Sequence, residues 1–166
     1  MRRLLFAFCI ALVPTLASAA MLQSGQPFPA WSLKDQTGAT VSSASLAGKT
    51  YLLWFYPKAM TPGCTAEGIA LRDRYPAFQA KGVEIFGVSF DEPAANAEFV
   101  AQEKFPFRLL SDSDRALAAE VGAATSREQK VASRVSYLVG PDGKVVRAYD
   151  SVDPRAHADQ VLGDVK

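Results

Sequence analysis

The sequence predicts an α/β fold with a central mixed β-sheet flanked by helices, and three features carry that expectation. An unbroken apolar run, YLLWFY from Tyr51 to Tyr56, reads as a buried strand. A helical stretch and then a second apolar run, VEIFGVSF from Val83 to Phe90, complete a strand–helix–strand unit, which implies parallel pairing through a right-handed crossover. Further on, RVSYLV from Arg134 to Val139 and KVVRAY from Lys144 to Tyr149 flank Pro141-Asp142-Gly143, a hairpin that adds antiparallel pairing.

The remaining elements follow from local chemistry. Trp31-Ser32-Leu33 and Ala39-Thr40-Val41 around Asp35-Gln36-Thr37-Gly38 predict a small extra hairpin. Pro57 ends the first central strand. Thr61-Pro62 then starts a helix, with threonine as N-cap and proline at the first helical position, and Lys81-Gly82 closes it after Ala80. Asp91-Glu92-Pro93 opens a second helix that runs to Lys104. Phe107 to Leu110 reads as a short strand, Asp114 to Val121 as a short helix, and Pro154 to about Leu162 as a last helix.

The chain has 166 residues, 49% hydrophobic and 21% charged, the balance of one globular domain rather than of a disordered chain or a coiled coil. Its first stretch, MRRLLFAFCIALVPTLASAA, places Arg2 and Arg3 before an apolar run and small residues after it. That is the layout of a cleaved export signal, and the run is too short to span a bilayer. The expected division is therefore a leader over residues 1–20 and a single domain over 21–166, in the periplasm or secreted, without stable membrane association. Without Arg2 and Arg3, 16 of the 18 basic residues remain against 17 acidic ones, and no basic stripe for nucleic acid stands out.

Of the two cysteines, Cys9 leaves with the leader and Cys64 remains. Exported proteins usually pair their cysteines, so a solitary one points to chemistry rather than to stapling. Cys64 falls in the first turn of the helix after the first central strand, where α/β folds place their sites. There, unpaired N–H groups and the helix dipole favour the thiolate, the nucleophilic form. A full cation should assist, and Arg134, at the start of a later strand, is the candidate; Arg72, two turns along the same helix, competes for the role.

The segment Phe55-Tyr56-Pro57-Lys58, Thr61-Pro62-Gly63-Cys64-Thr65-Ala66-Glu67 and Arg72-Asp73 resembles the peroxiredoxin family. Its signature of Pro, three residues, Thr, two residues, Cys is filled by Pro57, Thr61 and Cys64. The fuller match is similar to the bacterioferritin comigratory protein or peroxiredoxin Q subfamily. It extends through Gly87-Val88-Ser89-Phe90-Asp91, Pro106-Phe107, Leu110-Ser111-Asp112, Arg134, Tyr137-Leu138-Val139, Pro141-Asp142-Gly143-Lys144 and His157-Ala158 with Val161-Leu162.

The resemblance implies a thioredoxin-like fold and a thiol peroxidase acting on hydrogen peroxide and organic hydroperoxides, with no cofactor. It implies that Cys64 is the nucleophile, that Thr61 hydrogen-bonds the peroxide, that Arg134 holds thiolate and substrate, and that Pro57 roofs the pocket. Many members carry a resolving cysteine five residues after the first, where this chain has Ile69, and others carry one on the next helix, which here has none. The expectation is a one-cysteine variant, monomer or weak dimer, whose sulfenic acid is reduced by an external thiol reductant.

Other readings are weaker. A thioredoxin-type oxidoreductase needs two neighbouring cysteines, and there is no Cys-x-x-Cys. A peroxide sensor or chaperone-like protein that uses Cys64 oxidation as a signal stays open as the alternative. Glu67 is expected to be a first-turn carboxylate serving the helix dipole without titrating, and His157, the only histidine, to lie at the surface. No metal site is supported, and Gly48-Lys49-Thr50 lacks the earlier glycine of a phosphate loop, where Ser43 stands.

Overall fold

The computed structural model describes residues 20–150 and 152–165, so the expected leader lies, apart from Ala20, outside the described residues. In chain order the elements are β1 (Ser32–Asp35), β2 (Thr40–Ser42), a 3-10 turn (Ser43–Leu46), β3 (Thr50–Phe55), α1 (Pro62–Ala80), β4 (Val83–Ser89), α2 (Pro93–Glu103), β5 (Arg108–Ser111), α3 (Ala116–Glu120), β6 (Val135–Val139), β7 (Val145–Tyr149) and α4 (His157–Asp164). The strands form one sheet in the order β2-β1-β5-β4-β3-β6-β7.

The mixed pairing follows from the connections. β3 and β4 are joined by α1 and run parallel, as do β4 and β5 across α2, whereas β6 lies antiparallel to both β3 and β7. The early hairpin pairs β1 with β2, and β1 also pairs antiparallel with β5. The predicted elements all form, with ends displaced by a few residues; α4 starts at His157 rather than Pro154, and α2 stops at Glu103 because Lys104 turns left-handed at φ 55°.

β3 is apolar throughout because the sheet is covered on both sides, and its side chains alternate between two cores. Tyr51, Leu53 and Phe55 pack with Phe28, Trp31, Phe86, Leu117 and Tyr137. Leu52, Trp54 and Tyr56 pack with Leu71, Phe78, Phe99 and Val161 on the inward faces of α1, α2 and α4, and with Phe105 just after α2. Cys64 belongs to this second core.

α1 can lie close on β3 because residue 68 is glycine: a Cβ there would meet the Phe105 ring at 2.4 Å and Trp54 Cη2 at 3.1 Å. Both obstacles belong to buried rings with little room to give. Gly68→Ala gains about 1 kcal/mol of helix propensity but overpacks the core by about 1–3 kcal/mol. The expected outcome in urea unfolding is a lower midpoint at unchanged slope, a net loss of roughly 1 kcal/mol.

Candidate active site

The site is built where β3 hands over to α1. β3 ends at Phe55, Tyr56 hydrogen-bonds the Val88 carbonyl through its N–H at 3.0 Å, and the chain then leaves the sheet through partly buried Pro57. Pro62 starts α1, and the Thr65 N–H donates to the Thr61 carbonyl at 2.8 Å, so Cys64 sits in the first turn. The Cys64 side chain is completely buried.

Thr61 holds the N-cap position, but its hydroxyl does not cap the helix as expected. It donates instead to the Lys58 carbonyl at 2.9 Å, closing a tight loop within which Met60 adopts φ 59°. Proline at the first helical position has no N–H to satisfy, which lessens the demand for a side-chain cap.

Sheet register brings the cation to the sulfur. Phe55 stands opposite Val135 in the antiparallel β3–β6 pair, so Arg134, the residue just before, emerges at the same end as the loop. Its Nη2 donates to Cys64 Sγ at 3.4 Å and its Nη1 to Glu67 Oε2. The guanidinium crosses the first turn of α1 where residue 63 is glycine; a Cβ there would stand 3.0 Å from Arg134 Nη2. Arg72 does not compete: it donates to the Glu103 carbonyl at 2.7 Å and pairs with Asp73 at 2.9 Å.

Two expectations about charge are corrected. Glu67 lies beyond the first turn of α1, fully buried and ion-paired with Arg134, rather than at a solvated helix start. Burial, opposed by the Trp54 indole and Arg134, pushes its carboxyl up to about 7, into a range where it titrates. His157 is not at the surface either. It is fully buried at the start of α4, with Nε2 3.0 Å from the Ser136 hydroxyl, 4.0 Å from Glu67 Oε1, and its ring edge-on to Tyr149.

Burial lowers His157 to about 4, with Gln160 opposing and the Arg134 charge adding to the fall, so the imidazole is neutral at neutral pH. A sequence signal for its burial existed in the helical spacing of His157, Val161 and Val165, which places them on one apolar face. Arg134 itself stays charged: burial works against it, but Glu67 and the Cys64 sulfur outweigh that. The arrangement is a buried thiol and a buried carboxyl sharing one guanidinium, suited to holding an anion on the sulfur and a polar reactant beside it.

Comparison with known proteins identifies the family. The AhpC/TSA family model matches residues 24–148, and the chain belongs to that family. It is an oxidoreductase of the peroxiredoxin class, a thiol-dependent peroxidase with a thioredoxin-like fold.

Within that class it is similar to peroxiredoxin Bcp of Escherichia coli K12, 35% identical over 150 residues that cover 87% of this chain and 96% of the relative. Chloroplastic peroxiredoxin Q of Populus jackii is 35% identical over 144 residues, 86% of this chain and 68% of its own. Among solved structures, peroxidoxin BcpB of Mycobacterium tuberculosis has a TM-score of 0.81 at 31% identity, covering 88% of this chain and 97% of that one. The bacterioferritin comigratory protein of Xanthomonas campestris, described for its alkyl peroxide reduction activity, gives 0.77 at 31% identity over 89% and 96%.

The two buried titratable groups make opposite demands on folding. Between its ordinary 4.5 and about 7, native Glu67 holds a proton that the unfolded chain has lost, so stability falls as pH rises. Between about 4 and the ordinary 6.5 of His157, the unfolded chain holds the proton, so stability rises with pH. Their slopes oppose each other over the shared window. Urea midpoints measured across that window should therefore rise with pH in Glu67→Gln and fall with pH in His157→Gln, relative to a flatter parent.

Proposed function

We propose that the chain is a one-cysteine peroxidase in which Cys64 attacks hydrogen peroxide or an organic hydroperoxide and is recycled by an external thiol. The observation that carries this reading is the Arg134 Nη2 contact to Cys64 Sγ at 3.4 Å in a buried first turn. The helix start supplies partial positive charge and Arg134 a whole one with directed N–H groups, so the thiolate is favoured where the peroxide arrives.

In the reaction, the Cys64 thiolate attacks one peroxide oxygen, an S–O bond forms, the O–O bond breaks, and the departing oxygen leaves as alcohol or water after taking up a proton. Arg134 steadies the negative charge as it moves from sulfur to the departing oxygen. Thr61 contributes a hydroxyl to the peroxide and Pro57 shields the sulfur from water. The Cys64 sulfenic acid then condenses with an external thiol, releasing water, and a second thiol cleaves the mixed disulfide. Ile69, partly buried on α1 where many relatives carry a resolving cysteine, cannot take that part.

The alkyl peroxide reduction described for the Xanthomonas campestris relative supports organic hydroperoxides as substrates. The N-terminal pattern supports a single exported domain following a leader, periplasmic or secreted, and the subfamily resemblance supports a monomer or weak dimer.

Stopped-flow turnover with a dithiol reductant tests this. Cys64→Ser should abolish peroxide reduction while thermal unfolding stays close to the parent; turnover surviving in that variant would falsify the mechanism. Arg134→Met should slow peroxide attack by about a hundredfold or more, the magnitude of losing one oxyanion donor, and should slow Cys64 alkylation at neutral pH as well. Mass spectrometry after one equivalent of peroxide should find one added oxygen on Cys64 and no intramolecular disulfide, with excess peroxide driving it on to sulfinic acid. A stable Cys64–Cys64 linked dimer as main product would replace the external-thiol scheme, and oxidation without reductant-dependent turnover would favour a sensor.

A further inference from the structure

The loop between β3 and α1 delivers both Pro57 and Thr61, and it is held in a shape it would not choose alone. Met60 is a non-glycine residue at φ 59°, a conformation that persists when neighbours over-determine it. From within, Thr61 grips the Lys58 carbonyl at 2.9 Å. From outside, the Ala59 N–H donates to Asp91 Oδ2 at 2.9 Å, and Ala59 is nearly buried.

Asp91 stands in sequence as a helix opener, yet α2 is opened by Glu92, whose carbonyl takes the N–H groups of Ala95 and Asn96. The Asp91 carboxylate is committed to the loop instead. Ser89 orients it, donating its hydroxyl to Asp91 Oδ2 at 2.9 Å while accepting the Asp91 N–H at 3.2 Å. Behind Ser89 is a fully buried polar network: the Tyr56 hydroxyl donates to Asn96 Oδ1 at 2.6 Å, and Asn96 Nδ2 donates to the Ser111 hydroxyl at 3.1 Å. A buried network whose members are satisfied is rigid, and this one joins the end of β3, α2 and β5 beside Ser89.

Tyr56 and Cys64 belong to the same core. Burial holds the Tyr56 phenol far above its ordinary value, and both Asp91 and Cys64 add to that shift, so the hydroxyl feels both groups.

We propose that Asp91 is a positioning residue of the peroxidase site: its carboxylate, oriented by Ser89, fixes the loop that presents Pro57 and Thr61 to Cys64 through the Ala59 amide. This rests on the reading of Cys64 as the nucleophile. Loosening the anchor displaces groups that must be held within a fraction of an ångström of their productive positions, while the Arg134–Cys64 contact, made from the start of β6, stays in place.

The test compares Asp91→Ala, Asp91→Asn and Ser89→Ala in the full chain with Cys64→Ser alongside, reading peroxide attack, Cys64 alkylation by a small neutral reagent, amide exchange at Ala59 and thermal unfolding. Asp91→Ala should slow peroxide attack by about ten- to a hundredfold and alkylation by less than about threefold, with faster Ala59 exchange. Asp91→Asn keeps an acceptor oxygen for the Ala59 N–H and should hold the peroxide rate within about threefold of the parent. Ser89→Ala should fall between them.

A parent-like peroxide rate in Asp91→Ala, or an Asn variant as slow as the Ala variant, would overturn the proposal. So would a change confined to thermal stability. If Asp91→Ala does not fold, a slowed Ser89→Ala beside a near-normal Asp91→Asn supports the proposal, and a parent-like Ser89→Ala overturns it. Turnover surviving in Cys64→Ser would overturn the nucleophile assignment and the proposal with it; turnover lost there but unchanged in Asp91→Ala would overturn the proposal alone.

Discussion

One guanidinium serving two buried acids is the constraint around which the molecule is arranged. Cys64 and Glu67 lie on one turn of α1 with no exposed side-chain surface, and Arg134 donates to both. Leaving a Glu67 carboxylate buried without a cation costs several kcal/mol, so β6 must deliver Arg134 within hydrogen-bond reach of the start of α1. The antiparallel register of β6 on β3 does this by pairing Val135 with Phe55, and Gly63 leaves the guanidinium room to cross the helix. Central strand, crossover helix and returning strand are thus fixed relative to one another by a single side chain as well as by apolar packing.

Around that ion pair the interior is unusually polar. His157 and Ser136 stand beside Glu67, and the Tyr56–Asn96–Ser111 network lies toward β5. These groups are threaded through the core that Trp54, Phe99 and Phe105 fill. An apolar core tolerates repacking, whereas polar partners at fixed distances admit fewer arrangements.

The architecture was legible in the sequence because apolar runs and turn residues report it directly. Thr61-Pro62 and Lys81-Gly82 bracket α1, and Pro141-Asp142-Gly143 marks the hairpin. Arg134 was legible as a candidate because a thiolate at a helix start calls for a full cation with directed N–H groups, and the family resemblance reaches this residue. The pairing of Glu67 was not, since nothing local tells a solvated helical glutamate from a buried one whose partner lies 67 residues away. Asp91 was hidden in the same way, since a helix opener and a loop anchor look alike until tertiary contacts assign them, whereas the four-residue spacing of His157 and Val161 did point to an inward face. The Thr61 hydroxyl departs from expectation because a cap preference describes an average helix, whereas here the hydroxyl turns away to donate to the Lys58 carbonyl and accepts from no N–H of the helix start.

The separation of Arg134 from Cys64 along the chain, 70 residues, has a consequence for the newly made polypeptide. The turn holding the sulfur is local, but its cation comes from a strand added near the end and docked by long-range pairing. Until β6 is in place, Cys64 is a thiol with no guanidinium beside it and a water-exposed side chain. In the proposed mechanism, chemical competence is then acquired together with the tertiary structure, so that an unfolded chain carries an undistinguished thiol and the finished molecule an armed one.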